Sequence, residues 1–421
     1  MKSYARYKDS GISWIGKIPE HWERIPFFMV MTPKSECGHS DEDLLSVYLD
    51  KGVVKYSDVA EKRTNATSDD KEKYQLVDIG DFVMNNQQAW RGSVGISFHK
   101  GIVSPAYIIL GLSSKFYLKY ANYLLRDQFM VSLYYLCSKG VGSIQRNLVW
   151  NKLRQMPVFI PPLEEQESIA AYLDKKTEQI NELVAAKQKQ IELLKEYKQS
   201  LIANAVTKGI NPKVKMKDSG INWIGKVPEH WSIHFLFQKA KEHYISNKNI
   251  HHQNLLSLSY GRIIQKDINT TEGLLPESFD TYQIVEDGNI VLRLTDLQND
   301  HKSLRVGYVT QEGIITSAYE CLEVMSGYFP KYLYYQLHSF DIKKMFYGMG
   351  GGLRQNLNYN ELKKIRIAVP PFEEQKVIVE YIENRVSSID TQISSIEKQI
   401  ANLNEYKQSL ISDVVTGKVK V

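Results

Sequence analysis

The sequence predicts an α+β protein: two mixed α/β domains separated by two long antiparallel helices that form a coiled coil, the whole arranged as a pseudo-two-fold tandem repeat. Three observations lead there. The stretch Pro161-Pro162-Leu163-Glu164-Glu165-Gln166 returns as Pro370-Pro371-Phe372-Glu373-Glu374-Gln375, an offset of 209 residues. Glu196-Tyr-Lys-Gln-Ser-Leu-Ile202 recurs letter for letter as Glu405 to Ile411, at the same offset. Lys8 to Trp22 returns as Lys217 to Trp231 with 13 of 15 positions identical. Segments that keep register without an insertion are rigid elements of matched length, so the chain divides as 1–160, 161–207, 208–369 and 370–421.

Composition narrows the class. With 421 residues, 43% apolar and 24% charged, the chain has the make-up of an ordinary soluble protein of two or three domains. A net charge of +5 and a pI near 8.7 permit a nucleic-acid partner without requiring one. Cys37, Cys137 and Cys321 have no CxxC spacing and no paired histidines, which argues against a disulfide framework or a zinc site. The start, Met1-Lys-Ser-Tyr-Ala-Arg6, has no apolar signal region, and no run approaches eighteen apolar residues. A cytoplasmic chain with no membrane contact is expected.

The opening motif, Lys8 to Trp22 and its repeat, carries Trp14, Trp22, Trp223 and Trp231. Tryptophans can stack on a ligand, but two aromatics among Gly and Pro more simply form a packed turn at the base of a domain. His21 and His230 read as structural for the same reason.

The two middles, 23–160 and 232–369, behave differently from the motifs that frame them. Asp81-Phe-Val-Met84 and Asn289-Ile-Val-Leu292 follow a Gly and look like strands; Ile102-Val103 and Tyr107-Ile-Ile-Leu110 look like others. Phe116 to Leu136 and Phe329 to Phe346 have helical spacing. The two middles match only in fragments, such as Gly80-Asp-Phe-Val against Gly288-Asn-Ile-Val. Between them the offset drifts from 208 to 212 before returning to 209. One frame with two diverged faces suggests two domains doing one job on two different targets.

Candidate contact residues lie where each middle approaches its long helix. Gly142-Ser-Ile-Gln-Arg-Asn-Leu148 is matched by Gly351-Gly-Leu-Arg-Gln-Asn-Leu357. Glycines followed by Arg, Gln and Asn supply groups that bond base edges in pairs: Arg suits guanine, Gln and Asn suit adenine. The candidates are Gln145, Arg146 and Asn147 in one copy, and Arg354, Gln355 and Asn356 in the other. A polar loop leading into a strand explains the same letters without a ligand. Further candidates are Gln87 within Asn85-Asn-Gln-Gln88, Arg91, Arg293, Gln298, Asn299 and Arg305.

Each long stretch starts as a helix should. Proline tolerates the first turn, and carboxylates suit the positive end of the helix dipole. Apolar residues then follow a 4-3-4-3 seam: Ile389, Ile393, Ile396, Ile400, Leu403 and Leu410. The first copy has Ile180, Val184, Ile191, Leu194 and Leu201, with Lys187 interrupting. Such a seam wants one partner helix, and the obvious partner is the other copy. Forty-odd residues give roughly 60 Å of helix.

Familiar catalytic signatures are missing. Val369-Pro370-Pro371-Phe372 lacks the Asn or Asp with which amino-methyltransferases hold the target amine, and Ile160 fills that place in the first copy. Gly348-Met-Gly-Gly-Gly352 lacks the Lys-Ser/Thr of a phosphate loop. Asp341-Ile-Lys343 and Glu361-Leu-Lys363 are short acidic-x-Lys pairs of a kind that arises by chance. The chain reads as non-catalytic.

These motifs together resemble the specificity subunits of Type I restriction–modification systems. The carriers are Asp-Ser-Gly-Ile-x-Trp-Ile-Gly-x-Ile/Val-Pro-Glu-His-Trp, Pro-Pro-x-Glu-Glu-Gln, and the Leu-Ile-x-x-x-Val-Thr ends at 201–207 and 410–416. The resemblance covers nearly the whole length. It implies that each middle is a target-recognition domain reading half of a bipartite, asymmetric duplex DNA site. It further implies that the helices space the domains and dock two adenine-methyltransferase subunits, with restriction subunits joining that core. S-adenosylmethionine, ATP and magnesium are then expected on the partners and none on this chain. Glu164, Glu165, Gln166, Glu373, Glu374 and Gln375, alike in both copies, are the candidate partner contacts. A stand-alone DNA methyltransferase or nuclease, and a coiled-coil scaffold with no DNA role, are the other readings of the same letters.

Overall fold

Pro161-Pro162 and Pro370-Pro371 each lead into one long helix, Leu163–Lys208 and Phe372–Val415, with Glu164 and Glu165, or Glu373 and Glu374, in the first turn. The computed structural model describes residues 2–12, 15–59, 71–140, 146–249, 252–269, 278–297, 299–300, 303–349 and 356–421. Trp14, Gln145, Gln298, Arg354 and Gln355 lie outside the described residues. The chain forms two units: Met1–Lys187 with Lys398–Val421, and Gln188–Glu397. Each unit therefore holds one globular domain and a length of both long helices.

Both helices stop at a glycine in the left-handed region, Gly209 (φ 72°) and Gly417 (φ 74°). The Gly209 N–H donates to the Ala205 carbonyl and the Gly417 N–H to that of Val414, each at 3.2 Å. A side chain at Gly417 would run into the Pro19 ring, and one at Gly209 would press on the Trp231 indole. The glycine thus serves both the helix cap and the close approach of the opening motif.

In the first unit the helix segments run antiparallel. Lys407 Nζ donates to Asn181 Oδ1 at 2.9 Å, and Lys187 Nζ to Gln399 Oε1 at 2.6 Å. The second unit repeats the arrangement: Lys198 Nζ donates to both oxygens of Asp390, at 2.7 and 2.8 Å, while the helix end at Gly209 lies beside Glu374. Seam residues Ile180, Ile191, Leu201, Ile389, Ile393, Ile396 and Leu410 are buried. Lys187 breaks the apolar seam at little cost, because its stem is half covered while its amine bonds to Gln399.

The first domain is organised on a four-stranded antiparallel sheet, in the order Met31–Lys34, Tyr107–Leu112, Phe82–Asn85 and Val94–Ile96. Smaller pairs surround it. Glu23–Pro26 joins Pro157–Ile160, and Leu45–Tyr48 joins Gly52–Lys55. The predicted strand at Asp81–Met84 is Phe82–Asn85, and the one at Ile102–Val103 pairs with Gln75–Val77. One core runs from the buried Trp22 and Ile18 through Phe82, Tyr120, Leu124 and Tyr134 to Leu173 on the first long helix and Leu410, Val414 and Val415 on the second. The C-terminal turn of the chain is therefore part of the first domain's core. Its tail pairs with the chain start, the Lys420 N–H donating to the Lys2 carbonyl at 2.9 Å.

The second domain repeats the sheet order with Ala240–Glu242, Glu320–Val324, Ile290–Leu292 and Val306–Tyr308. Tyr332 donates to the Val206 carbonyl at 3.0 Å, as Tyr120 does to that of Val415 in the first unit. The four-stranded sheet and the pairs around it recur in the second domain; the pair Ser138–Lys139 with Asn147–Leu148 has no counterpart among its described residues.

The helical spacing is borne out in each domain, with an interruption. Phe116 to Leu136 is not a single helix: it is Leu118–Arg126 and Gln128–Leu136, broken at Asp127, whose ψ of 151° is extended. The Asp127 carboxylate accepts from the Phe129 N–H at 3.0 Å and restarts the helix as an N-cap. Burial pushes that carboxyl above the usual range. The helix from Phe329 ends at Ile342, where Lys344 takes φ 58° and a 3-10 turn, Met345–Gly348, follows.

Candidate nucleic-acid interface

Among the described residues, the fold brings members of both candidate sets of each domain to one place. In the first domain the strand Phe82–Asn85 ends in the 85–91 loop, and the strand Asn147–Leu148 comes up beside it. The Leu148 N–H donates to Asn86 Oδ1 at 2.9 Å. Within the loop, Asn85 Oδ1 accepts from the Gln87 N–H, and the Trp90 indole N–H donates to the Gln87 carbonyl at 2.9 Å. Those bonds tighten the turn and leave the Gln87 side chain exposed, with Arg91 and Asn147 exposed near it. The Arg91 guanidinium lies over the Trp90 ring at 4.6 Å, and that of Arg146 over Tyr135 at 4.3 Å. These contacts hold both guanidiniums against aromatic rings.

In the second domain the corresponding juxtaposition is the 293–300 loop against Asn356–Leu357. The Leu357 N–H donates to the Leu294 carbonyl at 3.0 Å, and Asn356 Oδ1 accepts from the Asp296 N–H at 2.9 Å. Asn356 is exposed but fixed by that bond. Arg293 is half-buried, with Nη1 3.8 Å from the Asp300 carboxylate. Asn299 is exposed and donates to Asp296 Oδ1 at 2.8 Å.

Arg305 does not belong among the contact candidates. Its side chain is fully buried. Nε donates to the Tyr347 hydroxyl at 3.0 Å, Nη1 to the carbonyls of Arg293 and Thr295 at 3.1 and 2.8 Å, and Nη2 to those of Asp296 and Asp300 at 3.2 and 2.6 Å. All five N–H donors of the guanidinium are used. Arg305 is the staple that shapes the 293–300 loop, including Asp296 at φ 55°.

The candidate partner contacts at the helix starts divide by face. Gln166 and Gln375 are corrected: both are buried and bonded into the domain. Gln166 donates to the carbonyls of Lys115 and Pro161 and accepts from the Tyr117 N–H; Gln375 donates to the Pro370 carbonyl and accepts from the Phe329 N–H. They tie the helix start to the domain, and their burial turns them away from a docking surface.

Glu165 and Glu374 are also occupied. Glu165 accepts from the Tyr4 hydroxyl at 2.6 Å and the Trp22 indole at 3.1 Å, and pairs with His21 at 2.7 Å. Glu374 accepts from Trp231 at 3.1 Å and pairs with His230 at 2.8 Å. This clasp explains why the opening motif and Pro-Pro-x-Glu-Glu-Gln recur together: each is the other's partner. Burial, and then the bond to Glu165, raises the Tyr4 hydroxyl well above the usual tyrosine range. Trp22 and Trp231 are buried as packing residues should be, whereas Trp223 is 38% exposed. Glu164 and Glu373, one position earlier, face solvent.

Two groups that sequence reasoning passed over are Trp90 and Tyr135, which carry the two guanidiniums. The adjacency of Trp90 and Arg91 was the available signal; Tyr135 gave none, because it reads as one more helix aromatic. Among the described residues, no group of three His, Cys, Asp or Glu side chains is placed to hold a metal ion, and no helix is long and apolar enough to cross a membrane.

Comparison with known proteins gives the family and the fold. Residues 47–193 and 283–404 match the model of the Type I restriction modification DNA specificity domain, once in each half. The chain is 26% identical over 439 residues to the MjaVIII type I restriction enzyme specificity subunit of Methanocaldococcus jannaschii, covering 96% of this chain and 94% of that one. Among solved structures, a chain from a study of assembly and conformational transition of the type I R-M system superposes with a TM-score of 0.68, at 13% identity, over 96% of this chain and 99% of that one. The HsdS subunit from Thermoanaerobacter tengcongensis superposes with a TM-score of 0.52, at 14% identity, over 96% and 98%.

Proposed function

Since the chain belongs to the Type I restriction–modification DNA specificity family, we propose that it delivers a methyltransferase and a restriction enzyme to a two-part DNA site without catalysing either reaction. The first domain reads one half-site through Gln87, Arg91, Arg146 and Asn147, with Gln145. The second reads the other half-site through Arg293, Asn299 and Asn356, with Arg354 and Gln355. The paired helices set the gap between the halves and hold two adenine-methyltransferase subunits through Glu164 and Glu373. Restriction subunits join that assembly. S-adenosylmethionine, ATP and magnesium act on the partners, and the complex works in the cytoplasm.

One observation carries this reading. The two sheets share a single strand order, while the paired loops beside them, 85–91 with 146–148 and 293–300 with 356–357, differ in sequence and in internal bonding. A duplicated frame with unlike loops suits two unlike half-sites. Arginine, glutamine and asparagine at those loops supply the donors and acceptors that distinguish base pairs in the major groove.

The test is to express the chain with its methyltransferase partner and sequence the host DNA for modified adenines. Modification confined to a split, asymmetric sequence is expected, and is expected to vanish without this chain. Methyl transfer by the purified chain alone would overturn the non-catalytic reading.

A further inference from the structure

The first domain carries an apolar pocket of about 560 Å³, lined by Trp90, Val131, Ser132, Tyr135 and Leu136. It lies where the 3-10 turn Ala89–Arg91 meets the end of the helix Gln128–Leu136. Tyr135 is 44% and Leu136 54% exposed, and the Trp90 and Tyr135 rings stand 6.1 Å apart. Side by side, these exposed side chains leave an apolar lining open to a ligand. Guanidiniums border the pocket on both rings, Arg91 on Trp90 and Arg146 on Tyr135. The loop that holds Trp90 by its indole N–H also presents Gln87.

In the second domain, among the described residues, the comparable ring is engaged within its own chain. Tyr347, which likewise precedes the loop to the second long helix, has the Arg305 guanidinium over it at 5.3 Å and the Lys344 amine at 4.9 Å. Its hydroxyl accepts from Arg305 and donates to the Asp300 carbonyl. That ring is filled by its own chain.

We propose that the Trp90–Tyr135–Leu136 pocket is a base-reading site that takes the 5-methyl group of a thymine, so that the two domains read by different chemistry. The proposal rests on the first domain being a DNA reader. A cationic rim favours a polyanion over an apolar protein face. Along the major groove only thymine presents an apolar group to such a pocket. Arg91 and Arg146 then meet phosphate or base edges on either side while the methyl group enters between them.

The test uses the full chain assembled with its methyltransferase partner and a duplex carrying the sequence that the assembly modifies. Each thymine in turn is replaced by deoxyuridine, which removes only the methyl group. Binding is measured by fluorescence anisotropy at fixed salt. One replacement is expected to weaken binding about fourfold, the yield of burying one methyl group. Leu136→Ala, at an exposed position, should abolish the thymine–deoxyuridine difference at that base pair, and Trp90→Ala should do the same. The proposal fails if no replacement weakens binding, or if the difference survives in Leu136→Ala. It fails equally if Leu136→Ala leaves DNA binding alone and weakens assembly with the methyltransferase, since the pocket would then be a protein contact. An assembly that does not prefer its site to random duplex removes the DNA-reading premise, and the proposal with it.

Discussion

Arg305 illustrates how a single buried side chain fixes a candidate reading surface it does not join. It spans four backbone carbonyls of the 293–300 loop and the Tyr347 hydroxyl. Lysine keeps the charge but concentrates its donors at one point, so it cannot reach five oxygens arranged around a planar fork. Arg305→Lys should cost about 3 kcal/mol of stability in urea denaturation, chiefly from carbonyls left buried and unpaired. It should also blur only the half-site read by the second domain in modified-site sequencing. Unchanged stability together with unchanged site choice would count against the staple. His338, also in the second domain, gives a pH prediction. Its ring stacks on Tyr334 with centroids 5.6 Å apart, and Nδ1 is buried without a partner. Burial first, then Lys198, lowers its pKa to about 4. In the unfolded chain the group titrates near 6.5. Above that pH both states are neutral and the group contributes no slope. Between the two values only the unfolded chain takes up the proton, so stability falls as the pH drops through that window. Because part of the ring meets solvent, the expected loss by pH 4 is discounted to about 1–3 kcal/mol. His338→Gln should flatten that part of the urea-midpoint profile, and parallel profiles for the two proteins would refute it.

At the scale of elements, the clasp between the opening motif and each helix start is what makes a domain and a helix one body. Glu165→Ala strands the Tyr4 hydroxyl, the Trp22 indole and the His21 ring, and should cost about 3 kcal/mol. Glu374→Ala strands only Trp231 and His230 and should cost about 2 kcal/mol. Thermal melts of the two variants should rank in that order; the reverse order would mean that the Tyr4 bond adds nothing. Partner docking is tested one residue earlier. Glu164→Lys and Glu373→Lys should weaken assembly with the methyltransferase in analytical ultracentrifugation while leaving the melting temperature in place. A lowered melting temperature in the free chain would make those glutamates structural as well. The helices and their seam were legible in the sequence because two copies in one register expose every position of the pattern. Which face each letter takes was not legible. Glu164, Glu165 and Gln166 are consecutive, yet they turn respectively to solvent, to the opening motif and to the domain interior. Likeness between copies marks all three equally. The break at Asp127 stayed hidden because the apolar spacing continues across it; the capping bond overrides the period. Arg305 and Arg293 are likewise indistinguishable as letters, and only burial separates the staple from the half-buried candidate.

For the whole molecule, the helix pair is the element most open to a quantitative test. Each long helix contributes to both units, the boundary falling between Lys187 and Gln188 in the first and between Glu397 and Lys398 in the second. An insertion at those two points leaves both domains, both clasps and all four candidate reading loops unchanged. Seven residues at each point keep the 4-3-4-3 seam in phase and lengthen the pair by about 10 Å. If the pair measures the gap along the duplex, the half-sites should move about three base pairs apart, at about 3.4 Å per base pair. Duplex twist turns the second half-site as it recedes, so part of the affinity should be lost even at the new spacing. A four-residue insertion should shift the gap less and bind more weakly, because it puts Ile389 and Ile393 out of step with their partners and strains the seam. The half-site sequences should stay the same in both variants, since no reading residue is altered. The measurement is to let each lengthened chain, with its methyltransferase partner, modify a randomised library, and then to align the modified sites. An unchanged gap in a folded, active assembly would show that the helix pair is not the ruler, and that the spacing is fixed within the domains themselves.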